Sequence, residues 1–426
     1  MDRDRENRYV ALLEKELVPA LGCTEPIALA YAAAKVRDVL GCFPERMELN
    51  CSGNIVKNVK GVTIPNSGGL VGIDIAVILG AVGGNANEEL KVLEGVKPEH
   101  IQKTKELSKT DFLKCTLKEG VENLYIDAFA FAGEHSAQVT IVNRHTLITR
   151  IVKDGVEIFH KDPVEKKESL DLDGMNIESI IEFARSVDIE RIKPALDRQM
   201  EANRNISNEG LTKPYGAQVG RTLLAAYGGD DVRIRARAKA AAGSDARMNG
   251  CSMPVVINSG SGNQGLTVSL PVMEFAKAWN CTDEQLYRAL AISNLVSVYQ
   301  KHYIGSLSAF CGAVTAACGA GAAITYLAGG DYEAICRTII NTIGNVGGII
   351  CDGAKSSCAA KIASAVDAAI LGHEMSMKGL CFKAGEGIVC GDIEGTIKNA
   401  GYVGRVGMKI TDVEILNLML DNSNEN

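Results

Sequence analysis

The chain has 426 residues, 46% of them hydrophobic, and a formal net charge of −7. That size and apolar content suffice for a large core and two domains, and they exclude a disordered chain. The acidic balance argues against a nucleic-acid partner, and Arg233, Arg235, Arg237 and Lys239 alternate with apolar residues and form no basic run.

The first residues, Met1-Asp2-Arg3-Asp4-Arg5-Glu6, lead into no apolar stretch. No signal peptide is therefore read, and the cytoplasm is the expected compartment. Residues 5–40 predict two helices broken near Leu21-Gly22. The first carries Tyr9, Leu12, Leu13 and Leu17 on one face, and Pro26 suits the first position of the second. Residues 46–64 read as extended, and 68–83 as a buried helix rich in Gly and Ala. Between residues 95 and 162 the character changes. Segments 125–131, 137–142, 146–152 and 156–158 alternate as strands do, and Lys153-Asp154-Gly155 is a hairpin turn. Residues 163–210 read as charged and helical, and 213–417 as mostly helix. The expected fold class is α+β. A helical Gly/Ala-rich catalytic domain (1–94 and 163–426) carries a smaller inserted α+β lobe (95–162).

Residues 307–330 carry no formal charge and are long enough to span a bilayer. Their strongly apolar members are few, so a buried helix is predicted and no membrane partner. Thirteen cysteines, an odd number without a secretion signal, argue for metal or thiolate chemistry over a disulfide framework.

Three features could carry chemistry. Cys311 opens a Gly/Ala-rich helix, and Cys351 and Cys358 bracket Asp352-Gly353-Ala354-Lys355-Ser356-Ser357. Cysteine thiolates hold iron–sulfur clusters, but this spacing matches neither common ferredoxin run. Seven residues of straight helix would separate Cys351 and Cys358 by about 10.5 Å, so the chain must bend, and Gly347, Gly348 and Gly353 offer the places. The plain alternative is inert thiols in a small-residue core. Cys23 stands just before the helix opened by Pro26, where free N–H groups and the helix dipole favour a thiolate. It could be a nucleophile, a base or a ligand, and Glu25 is a second candidate base. Asn258-Ser259-Gly260-Ser261-Gly262-Asn263-Gln264-Gly265 contains the dinucleotide pattern only formally, because Pro271 interrupts the expected helix and the preceding strand is short. Its backbone and its Asn258, Ser259, Ser261, Asn263 and Gln264 side chains would suit a carboxylate. His135, at a strand start, is a further candidate to meet a substrate.

Leu21-Gly22-Cys23-Thr24-Glu25-Pro26, Met248-Asn249-Gly250-Cys251-Ser252-Met253-Pro254, the run from Gly260 to Gly265, and Cys351-Asp352-Gly353-Ala354-Lys355 together resemble the L-cysteine desulfidase family, which is related to the α chain of iron–sulfur L-serine dehydratases. The resemblance covers nearly the whole chain. It implies a [4Fe–4S] cluster held by Cys311, Cys351 and Cys358, with Cys23 as the catalytic cysteine and pyruvate as product. The expected activity is removal of sulfide from L-cysteine, with the open iron as Lewis acid and Cys23 as base. Serine dehydration is the near alternative, and a non-catalytic iron–sulfur electron-transfer or sensor protein is the alternative of another class. The expected partner is a small amino acid, and a homo-oligomer is compatible with the sequence. Related dehydratases can cap the fourth iron with a cysteine at the extreme C-terminus. The last cysteine here is Cys390, so that form of capping is not expected.

Overall fold

The structure, a computed structural model, describes residues 1–162, 172, 174–305 and 307–421. Its first part comprises α1 (Arg3–Glu16), β1 (Pro19–Leu21), α2 (Thr24–Leu40), β2 (Arg46–Cys51), α3 (Gly53–Val59), α4 (Ile73–Gly83), α5 (Pro98–Leu107), β3 (Leu113–Leu117), β4 (Tyr125–Ala132), β5 (His135–Val142), β6 (Ile148–Lys153) and β7 (Val156–His160). The rest is helical apart from one short strand. It comprises α6 (Ile177–Ser186), α7 (Ile189–Thr212), α8 (Val219–Tyr227), α9 (Val232–Met248), β8 (Pro254–Val256), α10 (Gly262–Ala278), α11 (Asp283–Ile304), α12 (Gly312–Leu327), α13 (Tyr332–Val346), α14 (Cys358–Met377), α15 (Ile393–Tyr402) and α16 (Lys409–Asp421). The fold is α+β, as the patterning predicts. Part of the stretch expected to be helical, residues 163–171 and 173, lies outside the described residues.

The larger sheet has the order β3-β2-β4-β5-β6-β7, parallel between β2 and β3 and antiparallel elsewhere. Strand β2 comes from before residue 95, so the sheet is not built from 95–162 alone. The reason is the apolar face of β4 and β5. Ile126, Ala128, Ala130, Val139 and Ile141 all point to one side and must be covered. Helix α2 covers them and α4 packs against α2, and Ile27, Leu29, Ile78 and Leu79 join the same core. Helix α2 is apolar on every side through its middle, and residues 24–34 are all buried. The extended reading of 46–64 holds only for β2. Ile55, Val56 and Val59 are buried at helical spacing, so the chain turns into α3.

A second core unites α7 and α9–α14. Helix α12 lies inside it with residues 313–325 buried, which accounts for the uncharged stretch in that region. Among the described residues no helix is long and apolar enough to cross a membrane. Pro271 does not interrupt α10. Residues 264–276 are all buried, and that packing outweighs the roughly 3 kcal/mol that a proline costs in a helix interior.

Two short contacts position the site. Strands β1 and β8 pair antiparallel, Leu21 opposite Pro254, which brings the start of α2 beside the loop before α10. An isolated bridge joins Phe310 to Ile350, which sets Cys311 beside Cys351 although 40 positions separate them in sequence.

Candidate active site

The beginnings of four helices meet at one cavity of about 490 Å³. Cys23 is the cap of α2, Ser261 of α10 and Cys311 of α12, and Cys358 is the first residue of α14. None of the residues capping these four helices makes a side-chain capping bond. Helix starts carry unsatisfied N–H groups and partial positive charge, so their convergence favours anionic ligands such as thiolates and carboxylates.

At one end Cys23 donates its thiol proton to Glu25 Oε2 at 2.9 Å, and Thr24 Oγ1 donates to the same oxygen at 3.2 Å and to Gly260 O at 3.1 Å. Cys23, Thr24 and Glu25 are buried. Burial alone would raise the Glu25 carboxyl. The His145 imidazole, whose Nε2 lies 3.9 Å from Oε1, and the Cys23 thiol outweigh it and hold Glu25 at about 2. Burial, and then the Glu25 charge, push the Cys23 thiol well above its ordinary value, and Arg247 opposes them. The thiolate-favouring effect expected from the helix start is thus outweighed. The resting pair is a protonated thiol beside an ionised carboxylate.

At the other end Cys311, Cys351 and Cys358 line the cavity. Cys311 N donates to Ile349 O at 3.0 Å, and Cys351 N donates to Ala309 O at 2.6 Å, which locks the two chain segments side by side. The bend expected between Cys351 and Cys358 is present. Gly353 has φ +96°, and a side chain there would meet Lys57 O at 2.3 Å. Burial, followed by the charge of Cys351, raises the Cys311 thiol to about 12, and burial raises Cys358 as well. Three half-buried thiols lining one cavity form a donor set suited to a thiolate-binding metal group, whose binding displaces their protons. Among the described residues no set of three or more His, Cys, Asp or Glu side chains closes on a single ion. An iron–sulfur cluster is a better fit, because each thiolate then meets a different iron.

The loop before α10 forms the wall between the two ends. Ser259, Gly260, Ser261, Asn263 and Gln264 line the cavity, with Ser259 and Gly260 both left-handed at φ 50° and 77°. Asn258 stands behind them. It is fully buried and its Nδ2 donates to Asn294 Oδ1 at 3.0 Å and, more distantly, to Asn294 O, so it shapes the loop from within. His135 is outside the cavity. It lies at the β4–β5 turn, 70% exposed, with Nδ1 3.2 Å from Asp154 Oδ2. The eight residues of β5 carry the chain roughly 23 Å from that turn to the opposite end of the strand. There the loop 143–147 delivers His145, which does line the cavity.

Sequence reading also passes over Arg247, and of Lys301-His302-Tyr303 it says only that the run is a candidate like His135. Arg247 is 3% exposed and Lys301 9%. Both line the cavity. Burial pulls the Lys301 ammonium below its usual value, against the charges of Cys351, Cys311 and Glu25. Arg247 closes the buried Ala-rich end of α9 and Lys301 the buried apolar end of α11, and a cation at such a place is the one signal the sequence offers for them.

A buried carboxylate–thiol proton pair and three cysteines opening onto one cavity make a site able to move a proton and suited to a thiolate-bound group. The family model described as serine dehydratase alpha chain matches residues 87–417, and the chain belongs to that family, which is linked to iron–sulfur lyases. It is also similar to proteins called UPF0597 protein. The one from Lachnoclostridium phytofermentans is 53% identical over 97% of this chain and 99% of its own length. Those from Desulfitobacterium hafniense and Treponema denticola are 49% and 44% identical, each over 99% of both chains.

Proposed function

We propose that the chain is an iron–sulfur lyase that degrades L-cysteine to pyruvate, ammonia and sulfide by α,β-elimination. The observation carrying this reading is that the Cys23–Glu25 proton pair and the thiols of Cys311, Cys351 and Cys358 open onto one cavity. Those three cysteines would hold a [4Fe–4S] cluster, which when bound supplies a Lewis-acidic iron toward the leaving sulfur.

The residues of the chain do the rest. Ser259, Gly260, Ser261, Asn263 and Gln264, at the start of α10, receive the substrate carboxylate. Cys23 and Glu25 together hold one proton, so the pair can accept a second, from the substrate α-carbon. Either the thiol proton moves onto Glu25 as Cys23 takes the new one, or Glu25 takes it directly. The Cα–H electron pair forms the Cα=Cβ bond and the Cβ–S bond breaks, releasing sulfide. The resulting aminoacrylate tautomerises and hydrolyses to pyruvate and ammonia. The cavity walls hold the α-hydrogen near the pair while the carboxylate is fixed, a positioning effect that accounts for much of such a barrier reduction.

The family description favours L-serine as a second reading, with water leaving instead of sulfide. A soft sulfur leaving group suits iron better than a hydroxyl. Protein purified without oxygen should be brown, and should release sulfide and pyruvate from L-cysteine with a kcat/KM above that for L-serine. A higher value for L-serine makes the enzyme a dehydratase. Colourless protein that still turns over cysteine removes the cluster from the mechanism.

A further inference from the structure

We infer that Arg247 is the residue that selects the carboxylate of the substrate. The inference rests on the reading of the loop before α10 as the carboxylate subsite, and it names the charge that this subsite lacks in the sequence reading. Arg247 lies in the last turn of α9 and is 97% buried, yet it makes no ion pair among the described residues. Its Nε is buried without a hydrogen-bond partner, and its Nη1 reaches only the sulfur of Met248, at 3.9 Å. A buried guanidinium without an anion is costly, and such groups are normally paired. This one has its free side on the cavity.

It also lies against the start of α10. A side chain placed at Gly262 would meet the Arg247 Nε at 2.3 Å, so the helix start and the guanidinium share one patch of the wall. Asn263, next in the chain, has a buried Oδ1 without a partner, and its Nδ2 meets only Met248 sulfur at 3.7 Å. An unsatisfied guanidinium and a helix start without a side-chain cap thus converge on one patch of the wall, and the Asn263 Oδ1 beside them is an acceptor left for a donor such as the substrate ammonium. A planar carboxylate matches the fork of an arginine and the N–H groups of a helix start. Glu25 adds a fixed negative charge beside Cys23, the thiol on which Arg247 also acts. The ammonium of an α-amino acid would face it while the carboxylate meets Arg247, so the two charges orient the α-hydrogen toward Cys23 and Glu25.

The test compares two thiols that each lack one charge. 3-Mercaptopropionate keeps the carboxylate and has no ammonium, whereas cysteamine keeps the ammonium and has no carboxylate. Calorimetric titration of the anaerobically purified enzyme should show tighter binding of 3-mercaptopropionate than of cysteamine. Arg247→Gln should weaken 3-mercaptopropionate by roughly 10²-fold, the usual loss for one partner of a buried charged hydrogen bond, and cysteamine by less than about threefold. Arg247→Lys retains charge and most of the volume but not the fork. It should recover part of the affinity, and it decides the matter if the glutamine variant does not fold. Equal weakening of both ligands would make Arg247 a structural or charge-balancing group and overturn the inference, as would a wild-type enzyme with no preference for the carboxylate ligand. Failure of the wild type to turn over either amino acid would sink the proposed reaction, and the contrast between the two thiols would still decide the role of Arg247.

Discussion

The two ends of the cavity use the same side chain under opposite surroundings. Cys23 faces a carboxylate, and burial first and the Glu25 charge second keep the proton on sulfur. Cys311, Cys351 and Cys358 stand among cations instead. Lys361 ties Asp352 and Ile350 beside Cys351, and Lys57, bound to Asp412 of α16, donates to Cys351 O at 3.3 Å. In the proposed reaction a carboxylate neighbour suits a cysteine to carry a proton, whereas cationic neighbours and mutual proximity suit cysteines to be a ligand set. On that proposal the neighbours of a cysteine separate its role more than its place at a helix start, which Cys23, Cys311 and Cys358 share.

That contrast can be broken most severely at the ligand end. Cys351→Ala or Cys358→Ala removes one of three thiols, and iron content and activity should fall together to background, measured by iron assay and pyruvate formation. A variant that keeps full iron would remove that cysteine from the ligand set. At the other end the expected outcome differs in kind. Cys23→Ala and Glu25→Gln should keep iron and colour, and each should lose roughly 10²–10⁴-fold in kcat, the usual worth of a general base. Glu25→Gln also removes the charge that raises the Cys23 thiol, so its alkylation by iodoacetamide should begin at lower pH than in the wild type. Loss of iron from Cys23→Ala would make Cys23 a ligand and leave the base to Glu25 alone.

Much of this arrangement is legible in the sequence because it depends on local chemistry. Pro26 after Cys23-Thr24-Glu25 marks a helix start, Gly353 marks the bend before Cys358, and alternation marks the strands. What stays hidden depends on pairings between distant segments. Nothing local tells that Arg46–Cys51 joins the sheet between β3 and β4, since that follows from the apolar face it helps to complete. His135 and His145 are equally plausible on paper, and only the direction of β5 decides that the second reaches the cavity. Arg247 and Lys301 follow Ala-rich and apolar helical stretches, where a cation reads as a helix end facing solvent until that end of the helix is seen to be buried.

A milder break lies at Lys361. Its Nζ donates to Ile350 O at 3.0 Å and to Asp352 Oδ1, so one side chain holds the residues on both sides of Cys351. Lys361→Met should leave the three thiols in place but let the segment between Ile350 and Asp352 move. Iron loss to a chelator should quicken by about tenfold, equivalent to about 1.4 kcal/mol of lost restraint, while freshly loaded enzyme keeps most of its kcat. An unchanged rate of iron loss would show that the Phe310–Ile350 bridge holds the loop without help from Lys361.

The smallest effect is expected at Cys251, and it sharpens the comparison by holding sequence context nearly constant. Gly250-Cys251-Ser252-Met253-Pro254 echoes Gly22-Cys23-Thr24-Glu25-Pro26, and the two segments adjoin through the β1–β8 pair. Their surroundings differ. Where Cys23 has Glu25 two positions on, Cys251 has Met253, which is exposed. Cys251 is itself 3% exposed, belongs to the helical core, and does not line the cavity. Burial raises its thiol too, so it is a small neutral side chain whose contribution is packing. Cys251→Ala should therefore cost about 1–2 kcal/mol of stability, the scale of a small buried truncation, and leave iron content and kcat/KM unchanged. Thermal unfolding and steady-state kinetics on the same preparation would measure both. A fall in kcat/KM comparable to that of Cys23→Ala would mean that the motif itself, and not the carboxylate beside the thiol, carries the chemistry.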